Sequence, residues 1–83
     1  MYSMVKILVY PNGDRQETNN KLSINDYVNV NGYPLYFPLT TTKMIVYRVF
    51  RITRDSDRRE EREFYHLELI SRPELDRMNS EFH

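Results

Sequence analysis

Short apolar runs separated by polar breaks predict β-strands over most of this chain. The two longest runs are Lys43–Thr53 and Glu63–Ile70, which are rich in β-branched and aromatic residues and contain neither glycine nor proline. That composition fits a pleated, half-buried surface better than a helix. The segment between them, Arg54–Arg62, is charged throughout except for one serine and predicts a solvated bend. We therefore predict a long hairpin that acts as the scaffold of the domain.

The N-terminal third predicts one strand followed by a polar loop. Met4–Tyr10 is apolar on both faces and ends at Pro11-Asn12-Gly13-Asp14, where proline and Asn-Gly favour a turn. The next segment, Arg15–Lys21, is polar and rich in asparagine. It predicts a loop, with at most a short extended piece over Arg15–Glu17.

A second, shorter hairpin is predicted around Asn31-Gly32. Leu22–Val30 alternates imperfectly between apolar and polar residues, and Tyr33–Phe37 forms the returning strand. Asn-Gly is a strong hairpin signal because a type I′ turn needs two residues at positive φ. Since Pro34 and Pro38 cannot donate to a ladder, the returning strand is confined to an edge. We expect a flap that packs on the main sheet.

A short helix is predicted at the C-terminal end. Ser71 is the expected N-cap, Glu74 completes a capping box, and the proline between them falls in the first turn. Leu75, Met78 and Phe82 recur at helical spacing and form one apolar stripe. That stripe is expected to close one face of the sheet.

These elements predict a mainly β fold in a single domain that spans residues 1–83. Five short antiparallel strands and a terminal helix suggest a partly open barrel of the SH3-like or OB-like kind. The alternative is an open antiparallel sheet with the helix lying across one face. The long strand 43–53 is apolar on both faces, so we expect a helix, a barrel bend or a partner to cover its second side.

The composition says more about where the protein is located than about what it does. The chain has no cysteine, so disulfides and thiolate metal sites are excluded. No apolar run approaches the roughly 18 residues of a membrane span, and the start does not resemble a signal peptide. We expect an intracellular, cytoplasmic protein without membrane contact. The absence of alanine, together with seven asparagines and seven tyrosines, suggests an AT-rich genome such as that of a phage or virus.

Candidate chemistry is sparse. His66 and Glu68 share a strand face, but His83 is the only other histidine, which leaves too few ligands for a metal site. The acidic residues of 54–62 should be solvated and keep ordinary pKa values, and two glycines cannot build a phosphate loop. The sequence therefore predicts neither an enzyme nor a metal, cofactor or small-molecule site.

Protein binding is the predicted function. Tyrosine and arginine anchor many interfaces, and both are abundant in this chain. We expect a protein-interaction module, such as a phage or viral accessory protein, that binds a protein partner or a second copy of itself in a homodimer. The predicted partner-binding residues are Arg54, Arg58, Arg59, Arg62, Tyr33 and Tyr36.

Nucleic-acid binding is the alternative. The chain has no net charge, which removes global attraction to phosphate, but Arg48–Arg62 holds six arginines against four acidic residues. Arginine reaches phosphates, and aromatic rings on a sheet can stack exposed bases. The residues predicted for this alternative are Arg48, Arg51, Arg54, Arg58, Arg59, Tyr47 and Tyr65.

Overall fold

Six strands and one helix make up the computed structural model, which describes residues 3–81. The strands are β1 (Ser3–Val9), β2 (Arg15–Thr18), β3 (Tyr27–Asn29), β4 (Pro34–Leu35), β5 (Val46–Ser56) and β6 (Glu60–Leu69), and the helix is α1 (Arg72–Ser80). The strands form one curled sheet, a half-barrel, in the order β2-β1-β6-β5-β3-β4. The predicted fold class, mainly β with a short C-terminal helix, is confirmed.

The sheet differs from the prediction in its strand count and in one pairing. Arg15–Thr18 lies in the segment predicted as a loop with at most a short extended piece over Arg15–Glu17. It is a full edge strand antiparallel to β1, because a polar segment can still pair through its backbone. β1 also pairs in parallel with β6, from Ser3 opposite Glu60 to Val9 opposite His66. The sheet is therefore mixed rather than wholly antiparallel.

The long hairpin extends further than its apolar runs suggest. Strands β5 and β6 pair from Tyr47 opposite Leu69 to Ser56 opposite Glu61, so the predicted bend 54–62 shrinks to the tip 57–59. The ladder passes through the charged residues because exposed side chains do not interrupt backbone pairing. The hairpin contributes to an elongated molecule, whose extents are 47 × 23 × 17 Å.

A β-bulge in β5 changes which residues share a face. The register shifts between Val49 and Arg51, so Phe50 is the extra residue. Strict alternation would place Phe50 and Ile52 on the same side of the strand. After the bulge, Ile52 instead packs with Val49 in the core, while the Phe50 ring lies near His66.

The core consists of two clusters of buried side chains. One fills the concave side of the sheet with Leu8, Leu22, Val28, Val49, Tyr65 and Leu67. The other lies under α1 and joins Val46, Ile70 and Leu75, with Met78 packed against it. The helix therefore covers β5 at its first residue, which accounts for part of the doubly apolar pattern of that strand. Phe82, predicted in the same helical stripe, and His83 lie outside the described residues.

The Asn31-Gly32 turn closes the concave side. Gly32 is buried at φ +86°, and a Cβ built there would lie 2.4 Å from Cδ1 of Leu8. Nε2 of Gln16 donates to the Asn31 carbonyl at 2.8 Å, and the Tyr10 hydroxyl donates to the Val30 carbonyl at 3.2 Å. The turn thus bridges the two ends of the curled sheet.

Helix α1 begins as predicted and is tied to the loop before β5. Oγ of Ser71 accepts a hydrogen bond from the backbone N–H of Glu74. Near the helix end, the Asn79 amide bonds both backbone groups of Leu39: Oδ1 accepts from its N–H at 2.5 Å and Nδ2 donates to its carbonyl at 3.2 Å. This pair holds the chain that leads into β5 against the helix.

Candidate binding surfaces

The hairpin tip carries arginines, but acidic neighbours balance much of their charge. The Arg62 guanidinium has carboxylate oxygens of Asp55, Asp57 and Glu60 at 3.7 to 3.8 Å. Arg58 and Arg59 are exposed and form no ion pair within residues 3–81. Of the predicted contact arginines at this end, these two alone combine exposure with freedom from a carboxylate in the described chain.

Arg54 and Tyr65 both bond the buried carboxylate of Glu63, although the Arg54 side chain itself is 74% exposed. Glu63 is only 3% exposed; one carboxylate oxygen accepts from Nε of Arg54 at 2.9 Å and the other from the Tyr65 hydroxyl at 2.5 Å. The hydrogen bond from Tyr65 has the largest effect on Glu63 and lowers its pKa, and the bond from Arg54 acts in the same direction. Burial of the carboxylate opposes this shift. Burial and the adjacent carboxylate raise the pKa of Tyr65 to about 12. The prediction that Tyr65 stacks a base is wrong, because its ring is fully buried.

Two more residues of the nucleic-acid alternative are engaged within the protein. The Arg48 guanidinium bonds Glu68 across the β5–β6 ladder, and this bond raises the pKa of the arginine. Tyr47 packs against the concave core and meets the Tyr10 ring edge-on, with centroids 5.2 Å apart. Both side chains are half-buried, and their contact with nucleic acid stays a prediction.

Tyr33 and Tyr36 are exposed, at 63% and 82%. They flank β4, whose partner β3 meets β5 only over Val46–Arg48. The tip lies about nine residues further along β5, or roughly 30 Å at the rise of a strand. The two predicted contact regions therefore sit at opposite ends of the long hairpin and do not form one site.

The face of the sheet opposite the concave core carries a group of planar side chains that the sequence did not predict as a site. The Arg15 guanidinium lies 5.5 Å from the Phe64 ring centroid. The Phe64 and His66 rings are 6.5 Å apart, and those of His66 and Phe50 are 6.4 Å apart. We call Arg15, Phe64, His66, Phe50 and the neighbouring Arg51 the aromatic row.

Apolar side chains and one shared hydrogen bond complete the surroundings of the aromatic row. Half-buried Ile7 and Val9 lie on β1 opposite Phe64 and His66. The His66 ring is held by a 2.8 Å hydrogen bond between its Nε2 and Oγ1 of Thr53. Partial burial and the nearby charges of Arg51 and Arg15 lower the pKa of His66, which favours the neutral ring. Sequence reasoning missed the row because its members come from three strands and depend on the bulge.

A second surface is an apolar groove between the loop before β5 and the start of α1. It has a volume of about 540 Å³ and is lined by Thr42, Lys43, Met44, Ile45, Leu69, Ile70, Ser71, Arg72 and Leu75. Ile45 and Leu69 are 51% and 60% exposed although both are large aliphatic residues. The lining contains two cationic side chains and no carboxylate. We call this surface the apolar groove.

Grouped metal ligands and membrane-spanning helices were both sought among the described residues, and neither is present there. Within residues 3–81, no three histidine, aspartate or glutamate side chains are grouped so that they could hold a metal ion. The single helix of this part of the chain, α1, has nine residues and is too short to cross a membrane.

Comparison with known proteins identifies a family but no function. No curated protein and no solved structure matches the chain. A family model does match over residues 5–78, which include all of the core residues described above and most of α1. The chain therefore belongs to the family described as "Uncharacterised Treponema protein".

Proposed function

We propose that this protein is a small, non-enzymatic protein-interaction module and that its partner docks in the apolar groove. The observation that supports this proposal most directly is the exposure of Ile45 and Leu69 beside the groove. Clustered apolar side chains on a protein surface mark interaction sites more often than isolated ones do. The predicted use of Tyr33, Tyr36 and the hairpin tip stays a prediction.

Charge indicates what kind of partner fits the apolar groove. Lys43 and Arg72 are exposed at its rim, and neither forms an ion pair within residues 3–81. A second copy docked groove to groove would place these cations opposite each other, which costs free energy at an interface. A segment that presents an aliphatic side chain with flanking carboxylates would satisfy both the apolar walls and the rim. We therefore propose an acidic, amphipathic protein segment rather than a homodimer.

The intracellular, cytoplasmic setting is part of this proposal and rests on the cysteine-free composition. A phage or viral origin stays a prediction from composition. The family description names Treponema and says nothing of phages.

A photo-crosslinking experiment tests the proposed docking site. A benzophenone amino acid is placed at position 45 in one protein and at position 24 in another, because Ile45 and Ile24 are exposed to nearly the same extent, 51% and 49%. After irradiation in a lysate of Treponema cells, the genus that the family description names, a discrete crosslinked product is expected from position 45 and not from position 24. Adding Lys43→Glu and Arg72→Glu should abolish that product. Equal products from both positions would contradict the proposal.

A further inference from the structure

We infer that the aromatic row is a binding surface for single-stranded nucleic acid, with bases resting on Phe50, His66 and Phe64 and phosphates held by Arg15 and Arg51. This function lies outside the proposed protein interaction, and none of these five residues lines the apolar groove. Of the arginines and tyrosines that the sequence suggested for nucleic acid, only Arg51 belongs to this surface.

Four planar groups follow one another along the aromatic row. Arg15, Phe64, His66 and Phe50 follow one another at 5.5, 6.5 and 6.4 Å. Phe50 is 48% exposed, and the rings of Phe64 and His66 are half-buried at the surface of the sheet. Neighbouring aromatic side chains on an open sheet stack successive unpaired bases, because every base has a flat π-face. Stacking of a base on Phe50 would remove its exposed apolar surface from water, which is favourable.

Two arginines give the aromatic row a positive charge. Arg15 and Arg51 are exposed and form no ion pair in the described part of the chain. Their positive field is felt at His66, whose pKa is lowered partly by these two arginines. Two unpaired guanidinium groups beside flat rings match the alternation of phosphate and base in a single strand.

The Glu17 carboxylate works against an anionic ligand at this surface and supplies a test. Glu17 shares the face of Arg15 on β2, because the two are separated by one residue, and it lies opposite Ile7. Glu68, on the same side of β6, is occupied by Arg48. Removing the Glu17 charge should therefore strengthen the binding of a phosphate backbone.

A single strand fits this surface better than a duplex. In a duplex the base faces are stacked on one another, so rings on the surface of a sheet cannot reach them. Stacking and phosphate contacts carry little sequence information, so binding is expected to tolerate most base sequences.

The test is fluorescence anisotropy with a labelled single-stranded oligothymidylate and a duplex of the same length, at several salt concentrations. The single strand should bind more tightly than the duplex. Phe50→Ala should weaken binding by about tenfold, the usual effect of losing one stacking partner. Arg15→Gln and Arg51→Gln should each reduce the slope of log K against log salt by about 0.7. Glu17→Gln should raise the affinity.

Matched control variants distinguish binding at the aromatic row from a general attraction of the protein to polyanions. Arg58→Gln and Arg59→Gln remove exposed, unpaired arginines at the tip, and Tyr36→Ala removes an exposed ring elsewhere. All three should leave affinity within about twofold of the unmodified protein. Circular dichroism and thermal unfolding of each variant confirm that it folds.

Three results would overturn the inference. Absence of binding to the single strand at low salt would do so, as would equal loss of affinity in the tip variants and the row variants. Tight binding of polyglutamate that survives Phe50→Ala would show that the arginines attract any polyanion. Because the apolar groove takes no part in these measurements, its own proposal stands or falls separately.

Discussion

The Tyr65 hydroxyl donates a 2.5 Å hydrogen bond to Oε1 of Glu63, two residues earlier on the same face of β6. Both residues are at most 3% exposed. Without this bond, Oε1 of the buried Glu63 carboxylate would lack the Tyr65 hydroxyl as its hydrogen-bond donor. It also explains why a glutamate in the middle of a strand does not break the concave core.

Removing that donor should destabilise the protein. Tyr65→Phe keeps the ring in the core but leaves one Glu63 oxygen without its hydrogen bond, at a cost of about 1–3 kcal/mol in the free energy of unfolding. Urea unfolding followed by circular dichroism measures the change. Tyr36→Phe, at an 82% exposed tyrosine, is the control and should have little effect. Equal stability of the Tyr65 variant and the unmodified protein would contradict this role of the hydroxyl.

The same network predicts how stability depends on acidity. The pKa of Glu63 is lowered in the folded protein, chiefly by the Tyr65 hydroxyl, relative to an unfolded value near 4.5. Its contribution is therefore fully present above about pH 4.5. It is lost as the pH falls through the folded pKa, because protonation ends the charge-assisted bonds. Glu63→Gln should flatten the stability profile in this acid range, which unfolding measured across pH would show.

Replacing Gly32 or Gly13 by alanine should destabilise the protein to different extents, although the two glycines have similar backbone conformations. Both have positive φ, +86° and +93°, but a Cβ at Gly32 would collide with Leu8 while one at Gly13 would meet nothing within 4 Å. Gly13→Ala should cost about 1 kcal/mol from backbone strain alone. Gly32→Ala should cost about 2–4 kcal/mol, because overpacking against the core is added to the same strain. Thermal unfolding of the two variants gives the comparison, and equal losses would contradict the proposed closure of the sheet by this turn.

Asn79 should stabilise the approach to β5. Asn79→Ala leaves the N–H and carbonyl of Leu39 without their partners, and we expect a loss of about 1–3 kcal/mol. Hydrogen exchange of the Leu39 amide should accelerate more than that of Val49 in the centre of the sheet. Ser80, the next residue of the helix, is exposed, so Ser80→Ala is the control and should leave the Leu39 amide unchanged.

His66 should titrate below its ordinary value. Because the folded pKa is lowered, the unfolded chain binds the proton first, so stability falls as the pH drops below about 6.5. Nuclear magnetic resonance of the ring protons should place the folded pKa below 6.5 and show a rise in Arg51→Gln. An unchanged His66 pKa in that variant would contradict the charge effect of Arg51.

Local sequence pattern determined the elements whose causes are local. The apolar strand of the long hairpin, the turn at Asn31-Gly32 and the Ser71 cap all appear in the structure, because hydrophobic alternation, turn preference and capping act over a few residues. Two details of these predictions were wrong: the strand begins at Val46 rather than Lys43, and only Gly32 of the turn has positive φ, so the turn is not of type I′. Strand ends were less accurate, since a ladder between β5 and β6 continues through charged residues that no apolar pattern marks.

Tertiary structure alone decided which surfaces are available. Periodicity shows which residues share a face, but not what covers that face: Tyr65 is buried, whereas Phe64, its neighbour, lies beside Arg15. The parallel pairing of β1 with β6 joins residues more than 50 positions apart, and the bulge at Phe50 reverses the alternation of β5. The aromatic row depends on both β5 and β6 and on the edge strand β2. Contacts of that range follow from the way the whole chain folds and leave no signature in any short segment.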